Sequence, residues 1–148
     1  MNTDKLVAIV GHSLVPPRLD YIEGAQVRIF RSPGAKALTF DSNKISEVLN
    51  WPHDLTIIFL GGNDIYDNCV PSKITNDIRS VIEQIHSSCH SHIAFVLIEH
   101  RNPPPGNRFH VSASLYNRVA NSINNRLKRI FKNKSYVKFL SVGAKSFQ

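Results

Sequence analysis

Short apolar runs alternate along the chain with longer segments in which apolar residues recur every three or four positions. The short runs are rich in β-branched and aromatic residues, a pattern that predicts buried strands. The five predicted strands are Lys5–Gly11, Gln26–Phe30, Asp54–Leu60, Ile93–Ile98 and Tyr136–Val142. The longer segments predict helices that begin at a capping residue or a proline. These helices run from Asp41 to about Asn50, from Pro71 to about Ser88, and from Ser112 or Ser114 to about Lys132.

The alternation of strands and helices predicts the fold class. Strands that alternate with helices along the chain favour an open parallel sheet with helices on both faces. Continuously apolar strands fit a sheet that is covered on both sides. We therefore expect an α/β protein, a three-layer α/β/α arrangement around an open five-stranded parallel sheet of the flavodoxin-like kind. Right-handed crossovers bring the carboxyl ends of all strands to one edge, which is where ligands bind in such sheets.

Length and composition are those of one globular domain, which we expect to span residues 1–148. The 148 residues are 42% hydrophobic and 20% charged, which excludes a disordered or collagen-like chain. No apolar run approaches the roughly 18 residues of a membrane span, and the first residues lack the pattern of a secretory signal. Two cysteines, Cys69 and Cys89, are too few for a disulfide scaffold. We expect an intracellular, cytoplasmic protein without a cofactor.

The charge is distributed unevenly along the chain. Lysine and arginine number 18 against 11 acidic residues, a net charge of +7, and no acidic residue follows Glu99. A basic end of this kind attracts phosphate polymers, although a solvated helix face has the same composition. The last predicted helix has a polar face, with Asn117, Asn121 and Asn124, that suits contacts to a nucleic-acid backbone. The basic residues expected to make such contacts are Arg118, Arg126, Lys128, Arg129 and Lys132. No aromatic stacking platform or nucleic-acid motif accompanies them in the sequence.

Glycines and polar residues follow four of the predicted strands, at the edge where ligands bind. Gly11-His12-Ser13 follows the first strand, Ser32-Pro33-Gly34 the second, and Gly61-Gly62-Asn63-Asp64 the third. A long loop after the fourth strand contains three successive prolines, flanked by Arg101 and Arg108. Those guanidinium groups either hold a carboxylate or phosphate or form the rim of a basic surface.

Three of these segments resemble the sequence blocks of SGNH hydrolases, also called GDSL esterases and lipases. Val10-Gly11-His12-Ser13-Leu14 resembles the family's first block, Gly-Asp-Ser-Leu, whose serine is the nucleophile. Gly34 falls where the family has the glycine of its second block. Gly61-Gly62-Asn63-Asp64 matches the third block, Gly-x-Asn-Asp, whose asparagine is an oxyanion donor. The resemblance covers nearly the whole chain in order and spacing.

The resemblance implies an SGNH-hydrolase-like fold and a serine esterase that acts on a small carboxylic or acetyl ester. In such a site, Ser13 Oγ attacks the ester carbonyl, while the backbone N–H groups of Ser13 and Gly34 and the Asn63 amide hold the oxyanion. Asp64 is expected to hold its loop through backbone N–H groups rather than to take part in the chemistry. The residues expected to bind substrate are His12, Gly62, His100 and Arg101.

The sequence departs from the family pattern at two places. His12 replaces the family's aspartate, and it either packs or places an imidazole near Ser13. The family's Asp-x-x-His block follows the last strand, but no aspartate follows Asp77 here. Since a serine without an adjacent base is a weak nucleophile, we expect either a truncated domain without the final family helix or a non-hydrolytic relative. His100 or His110, oriented by Glu99, is the substitute base that the sequence offers.

Other interpretations of the sequence stay open. One is a non-catalytic SGNH-like module that binds nucleic acid or another polyanion through the basic C-terminal third, similar to modules of some eukaryotic retrotransposons. A receiver-like or flavodoxin-like phosphate site is disfavoured, because the segment after the first strand has no acidic cluster and a single hydroxyl, Ser13. A cluster of histidines and a cysteine resembles a metal site but fits the solvent-exposed end of a helix better, so no metal is expected. Its members are His86, Cys89, His90 and His92.

Overall fold

The predicted strands and helices are all present in the structure. The computed structural model describes residues 4–11, 22–32, 36–37, 40, 42–101 and 111–141. The strands are β1 (Lys5–Gly11), β2 (Ala25–Arg31), β3 (Leu55–Phe59), β4 (His92–Val96) and β5 (Val137–Leu140). The helices are α1 (Ser42–Asn50), α2 (Pro71–Cys89) and α3 (Ala113–Ile130). Asp41, the predicted cap of α1, lies outside the described residues.

The five strands form one parallel sheet in the order β2-β1-β3-β4-β5, as the sequence predicts. Gly11 at the end of β1 is level with Arg31 of β2 and with Phe59 of β3. Strand β2 lies on one side of β1 and β3 lies on the other side. The chain thus passes from β1 to β2 in one direction across the sheet and from β2 to β3 in the opposite direction. The direction of winding therefore reverses between β1 and β3, and a crevice for ligands opens at the carboxyl ends of such a strand pair.

The three described helices lie on one face of the sheet. Strands β2 to β5 are visited in a single direction across the sheet, so right-handed crossovers bring α1, α2 and α3 to the same side. Their buried side chains share one cluster with Val10, Ile58 and Phe95 of the strands. The opposite face is buried as well, since Val7 and Ile9 are 3% and 0% exposed. The α/β class and the open five-stranded sheet are confirmed, with one helix layer among the described residues.

Hydrogen bonds from α3 set the end of β4. Ser112 caps α3 by accepting a hydrogen bond from the Leu115 N–H at 3.1 Å, which confirms one of the two predicted caps. Strand β4 ends at Val96, two residues earlier than predicted. The reason lies in α3, where Asn124 Oδ1 accepts from the Ile98 N–H and Asn124 Nδ2 donates to the Ile98 carbonyl, both at 2.9 Å. Ile98 is thereby satisfied by a side chain and leaves the strand pairing.

Both long helices are amphipathic rather than apolar throughout. In α2, Ile74, Ile78, Ile82 and Ile85 are buried on one face, the spacing expected for a helix that packs against a sheet. None of the helices that the structure describes combines the length and apolar character that a membrane crossing requires.

Candidate active site

A tight turn follows β3 at the carboxyl edge of the sheet. Gly62–Asp64 forms a single 3₁₀ turn, and the Asp64 N–H donates to the Gly61 carbonyl at 3.1 Å. Gly61 has a φ of 111°, a conformation that L side chains rarely adopt. A Cβ at Gly61 would also lie 2.6 Å from Ile98 Cδ1. Glycine at this position therefore permits both the backbone conformation and the close packing against the segment after β4.

Asp64 joins the turn to the segment that follows β2. Its carboxylate is 5% exposed and accepts the Ala37 N–H, with its two oxygens 3.1 and 3.0 Å from the nitrogen. Ala37 follows Gly34 by three residues. Asp64 thus has the backbone-holding role expected from the sequence, and it fixes the turn of Asn63 relative to the chain just after Gly34.

Burial also changes the acidity of this carboxyl group. Desolvation raises the pKa of Asp64 from 3.8 to about 6, and the nearby charge of Asp77 acts in the same direction. The hydrogen bond from the Ala37 N–H and the charges of Lys36 and Lys73 act in the opposite direction but are smaller in sum. Asp64 therefore binds its proton more tightly in the folded protein than a solvated aspartate does.

The three predicted catalytic residues are described to different extents. Asn63 is half-buried in the turn next to Gly62. Ser13 and Gly34 lie outside the described residues, as does the candidate substrate-binding residue His12. The described Gly11, two residues before Ser13, ends β1 beside β3. The convergence of Ser13, Gly34 and Asn63 at one edge remains a prediction.

Arg101 lies directly against the glycine turn. A Cβ at Gly62 would lie 2.7 Å from Arg101 Nη2, so a side chain at this position would displace the guanidinium. The Arg101 backbone N–H donates to Asn117 Oδ1 at 2.8 Å, and its guanidinium carbon lies 5.2 Å from the centre of the Tyr116 ring. Two of the predicted substrate-binding residues, Gly62 and Arg101, are thus neighbours in the structure.

Tyr116 is a residue of this region that the sequence did not single out for the site. It is 3% exposed, and its hydroxyl lies 3.0 Å from the position of a Gly62 Cβ. This hydroxyl has no hydrogen-bond partner among the described residues. Burial raises the pKa of Tyr116, while the charge of Arg101 lowers it. From the sequence Tyr116 was expected on the polar face of the last helix, whereas the structure buries it.

The asparagines of α3 have a different role from the one predicted. Asn117, Asn121 and Asn124 were expected on a face available to nucleic acid. Instead, Asn117 and Asn124 bond backbone groups of Arg101 and Ile98, and Asn121 Oδ1 lies 2.7 Å from His100 Nε2. Residues at these positions share one side of a helix, and this side faces the segment after β4. The asparagines therefore anchor the candidate site internally.

Two of the described histidines, His86 and His100, are held by hydrogen bonds of their rings. His100 Nε2 donates to Asn121 Oδ1, so this amide orients the ring, while Glu99 is exposed. The His86 ring stacks on Tyr136 with centres 3.6 Å apart, and its Nδ1 donates to the Ser91 carbonyl at 2.9 Å. Within the described ranges, no three His, Cys, Asp or Glu side chains come together as metal ligands would. His110 lies outside those ranges.

The basic residues of the C-terminal third fall into two groups. Arg118, Arg126 and Arg129 are exposed along the outer face of α3. Lys128 and Lys132 line a groove of about 370 Å³ together with two further lysines. These two are Lys134 and Lys138, and Phe139 lines the groove as well. The groove lies between the end of α3 and the start of β5, at the edge of the sheet opposite the glycine turn.

The fold and this edge define an α/β protein whose ligand site is expected where β1 and β3 end. The model of the family described as GDSL-like lipase/acylhydrolase matches residues 13–143. The chain therefore belongs to this family, and the predicted resemblance to SGNH hydrolases is confirmed. No curated protein is significantly similar to the chain in sequence.

Several solved esterase structures share the fold. Est24, a carbohydrate acetylesterase from Sinorhizobium meliloti, has a TM-score of 0.66 and 15% identity over 93% of this chain and 84% of its own. An aryl esterase from M. smegmatis has a TM-score of 0.68 and 16% identity over 95% of this chain and 85% of its own. The esterase EstA from Pseudoalteromonas sp., in a structure inhibited by monoethylphosphonate, has a TM-score of 0.64 and 12% identity over 94% and 78%.

The chain is shorter than the proteins that it resembles. It spans 66% of a similar structure from Streptococcus pneumonia, which has a TM-score of 0.68 and 14% identity over 94% of this chain. The similarity nevertheless extends over nearly all of the present chain, so its fold is that of an ester-hydrolase-type domain.

Proposed function

We propose that this chain is a serine ester hydrolase in which Ser13 attacks a small carboxylic or acetyl ester. Asn63, Gly34 and the backbone N–H of Ser13 stabilise the oxyanion that forms on the carbonyl oxygen. Donors placed in advance around such an oxyanion supply a large part of the rate enhancement of acyl transfer. Gly62, His12, His100 and Arg101 line the substrate side of this site.

The observation that carries the proposal is the position of the glycine turn. The turn that holds Asn63 follows β3 directly at the reversal between β1 and β3. The bond from Ala37 to Asp64 ties the chain just after Gly34 to the same turn. Two of the three proposed oxyanion donors thus belong to segments that are joined at this edge. The carbohydrate acetylesterase and aryl esterase folds support an ester as the substrate class.

The proton of Ser13 requires an acceptor. Among the described residues, the imidazole at this edge is that of His100, whose Nε2 lies 2.7 Å from Asn121 Oδ1, so that this contact orients the ring. An unprotonated ring nitrogen is the form that accepts a proton as a general base. We propose His100 as the base, with His110 of the same loop as the alternative.

Covalent labelling by a fluorophosphonate tests this proposal. Ser13 Oγ is expected to attack the phosphorus, forming a P–O bond and releasing fluoride, so that wild-type protein becomes labelled. The Ser13→Ala variant is expected to lose the label, because no other side chain is activated in the same way. In-gel fluorescence and the mass of the labelled peptide measure the outcome.

Ser32→Ala is the matched control for this experiment. Ser32 follows β2 at the same edge, but the proposal gives its hydroxyl no role. The control is expected to label like the wild type. Equal labelling of wild type and Ser13→Ala, or labelling of neither, contradicts Ser13 as an activated nucleophile.

A second candidate function is the binding of a nucleic-acid strand at the basic groove. Lys128, Lys132, Lys134 and Lys138 line it, and residues 111–141 contain no carboxylate side chain to neutralise them. Half-buried Phe139 also lines the groove. A cationic groove combined with an aromatic ring is typical of single-strand binding, since phosphates contact the lysines and a base stacks on the ring.

Replacing the four groove lysines by glutamine is expected to weaken binding of a single-stranded RNA and to make it less sensitive to salt. Removing one phosphate interaction reduces the slope of log K against log salt by about 0.7, so the four replacements together are expected to reduce it by about 2 to 3. Fluorescence anisotropy at several salt concentrations measures it. A protein with Arg118, Arg126 and Arg129 replaced by glutamine is the control, and a larger effect there moves the site to the outer face of α3.

A further inference from the structure

Arg101, whose guanidinium pairs with no carboxylate among the described residues, lies against Gly62, next to the proposed oxyanion donor Asn63. Arg101 is half-buried, and no described carboxylate forms an ion pair with it. Glu99, two residues earlier, is exposed and makes no ion pair with a described residue. A guanidinium in this situation keeps its planar pair of N–H donors for an oxyacid group.

Three contacts place Arg101, of which one holds its backbone and two lie against its guanidinium. Its backbone N–H is bound by Asn117 Oδ1 at 2.8 Å, and its guanidinium carbon lies 5.2 Å from the centre of the Tyr116 ring. On the other side it lies against Gly62, where a Cβ would approach Nη2 to 2.7 Å. A charged donor whose position is fixed in advance loses little conformational freedom when a ligand binds.

Tyr116 acts as a platform under this arginine. The ring is 3% exposed and is covered by the guanidinium, so its hydroxyl is out of reach of a ligand while Arg101 is in place. The hydroxyl has no hydrogen-bond partner in the described part of the chain. The contribution of Tyr116 is therefore the face of its ring, which a phenylalanine would supply equally well.

We propose that Arg101 binds an anionic oxyacid group of the ester substrate, so that the preferred esters carry a negative charge close to the ester bond. The inference rests on the proposed function, because the substrate is taken to lie against Gly62 and Asn63. Gly62 allows the guanidinium to approach the turn, and the neighbouring Asn63 holds the ester oxygen. A carboxylate and a phosphate both match the fork of an arginine.

Ligand binding by a variant that cannot hydrolyse esters tests the role of Arg101 without depending on catalysis. In the Ser13→Ala background, monomethyl succinate carries one carboxylate, while dimethyl succinate is its neutral counterpart. Arg101→Gln is expected to lower the affinity for monomethyl succinate by about tenfold or more, because the variant loses one charge-assisted pair. The affinity for dimethyl succinate is expected to change little. Chemical-shift titration measures both dissociation constants, and methyl phosphate as a third ligand shows whether a phosphate replaces the carboxylate.

Control variants separate recognition from a structural effect. Arg118→Gln removes an exposed arginine of α3 and is expected to leave all three affinities unchanged. Tyr116→Phe is expected to retain the affinity for monomethyl succinate, and Tyr116→Leu to reduce it. Absence of binding, an equal change for the charged and neutral esters, or an effect of Arg118→Gln as large as that of Arg101→Gln overturns the proposal. Loss of fluorophosphonate labelling with intact anion binding would contradict the proposed function alone.

Discussion

Replacing Asn63 by alanine is expected to slow fluorophosphonate labelling of Ser13 by about 10²–10³, the usual effect of removing one oxyanion donor. In the labelling reaction negative charge develops on the phosphoryl oxygen, as it does on the carbonyl oxygen of an ester. Asn63 lies in the turn that is fixed by Gly61 and Asp64, so its backbone is positioned before the reaction begins. The second-order rate constant of labelling is the quantity to measure.

Asn125→Ala is the matched control for this prediction, because Asn125 is an exposed asparagine on α3. It is expected to label at the wild-type rate. Thermal unfolding of both variants checks that they remain folded under the assay conditions. A rate for Asn63→Ala within the range of the control would assign the oxyanion to other donors and contradict the role proposed for Asn63.

The second prediction concerns the stability of the protein as a function of pH. The folded-state pKa of Asp64 is raised from 3.8 to about 6, so the folded protein holds this proton more tightly than the unfolded chain does. The contribution of the Asp64 proton to the free energy of unfolding is therefore fully present below about pH 4, and it is lost as the pH rises through 6. At about 1.4 kcal/mol per pKa unit, the free energy of unfolding falls by about 2–3 kcal/mol over that interval.

Asp64→Asn removes this dependence, because an amide does not ionise in this range. Its carbonyl oxygen still accepts the Ala37 N–H, while its NH₂ group adds a cost that does not vary with pH. The difference in unfolding free energy between the variant and the wild type is therefore expected to shift by about 2–3 kcal/mol in favour of the variant between pH 4 and 7.5. Urea unfolding at several pH values measures it.

Asp67→Asn is the control for the pH series, since Asp67 is exposed on the turn that follows. Its difference from the wild type is expected to stay nearly constant over the same range. A constant difference for Asp64→Asn as well would mean that the protein accommodates the buried charge without cost, contrary to the prediction.

Local sequence was sufficient for most of the fold. Strand β1 has the predicted bounds, Lys5–Gly11, because a charged residue and a glycine delimit a continuous apolar run. Helix α2 begins at Pro71 as predicted, since proline fits the first turn of a helix and ends the preceding segment. The predicted end of β4 was wrong by two residues. The observed end depends on the bond between Ile98 and Asn124, which are 26 residues apart in the chain.

The candidate site was predictable only in part. Gly61 and Asp64 could be recognised from the motif, and Asp64 has the backbone role expected of it. The contact between Arg101 and Tyr116 could not be recognised, because the two residues are 15 positions apart in the chain and each one alone fits a surface or core position. Asn117 and Asn124 of α3 were misassigned for a related reason. Helical spacing shows that Asn117, Asn121 and Asn124 share a side, but not whether solvent or backbone lies opposite.

The lysine groove and the glycine turn lie at opposite edges of the sheet. Strands of four to seven residues separate the two edges by roughly 13–23 Å. Protein captured on an anionic resin through its lysine edge would therefore present Asn63 and Arg101 to the surrounding buffer. Reactivity toward a small electrophile could then be followed on the resin, with the immobilised protein oriented by its own charge.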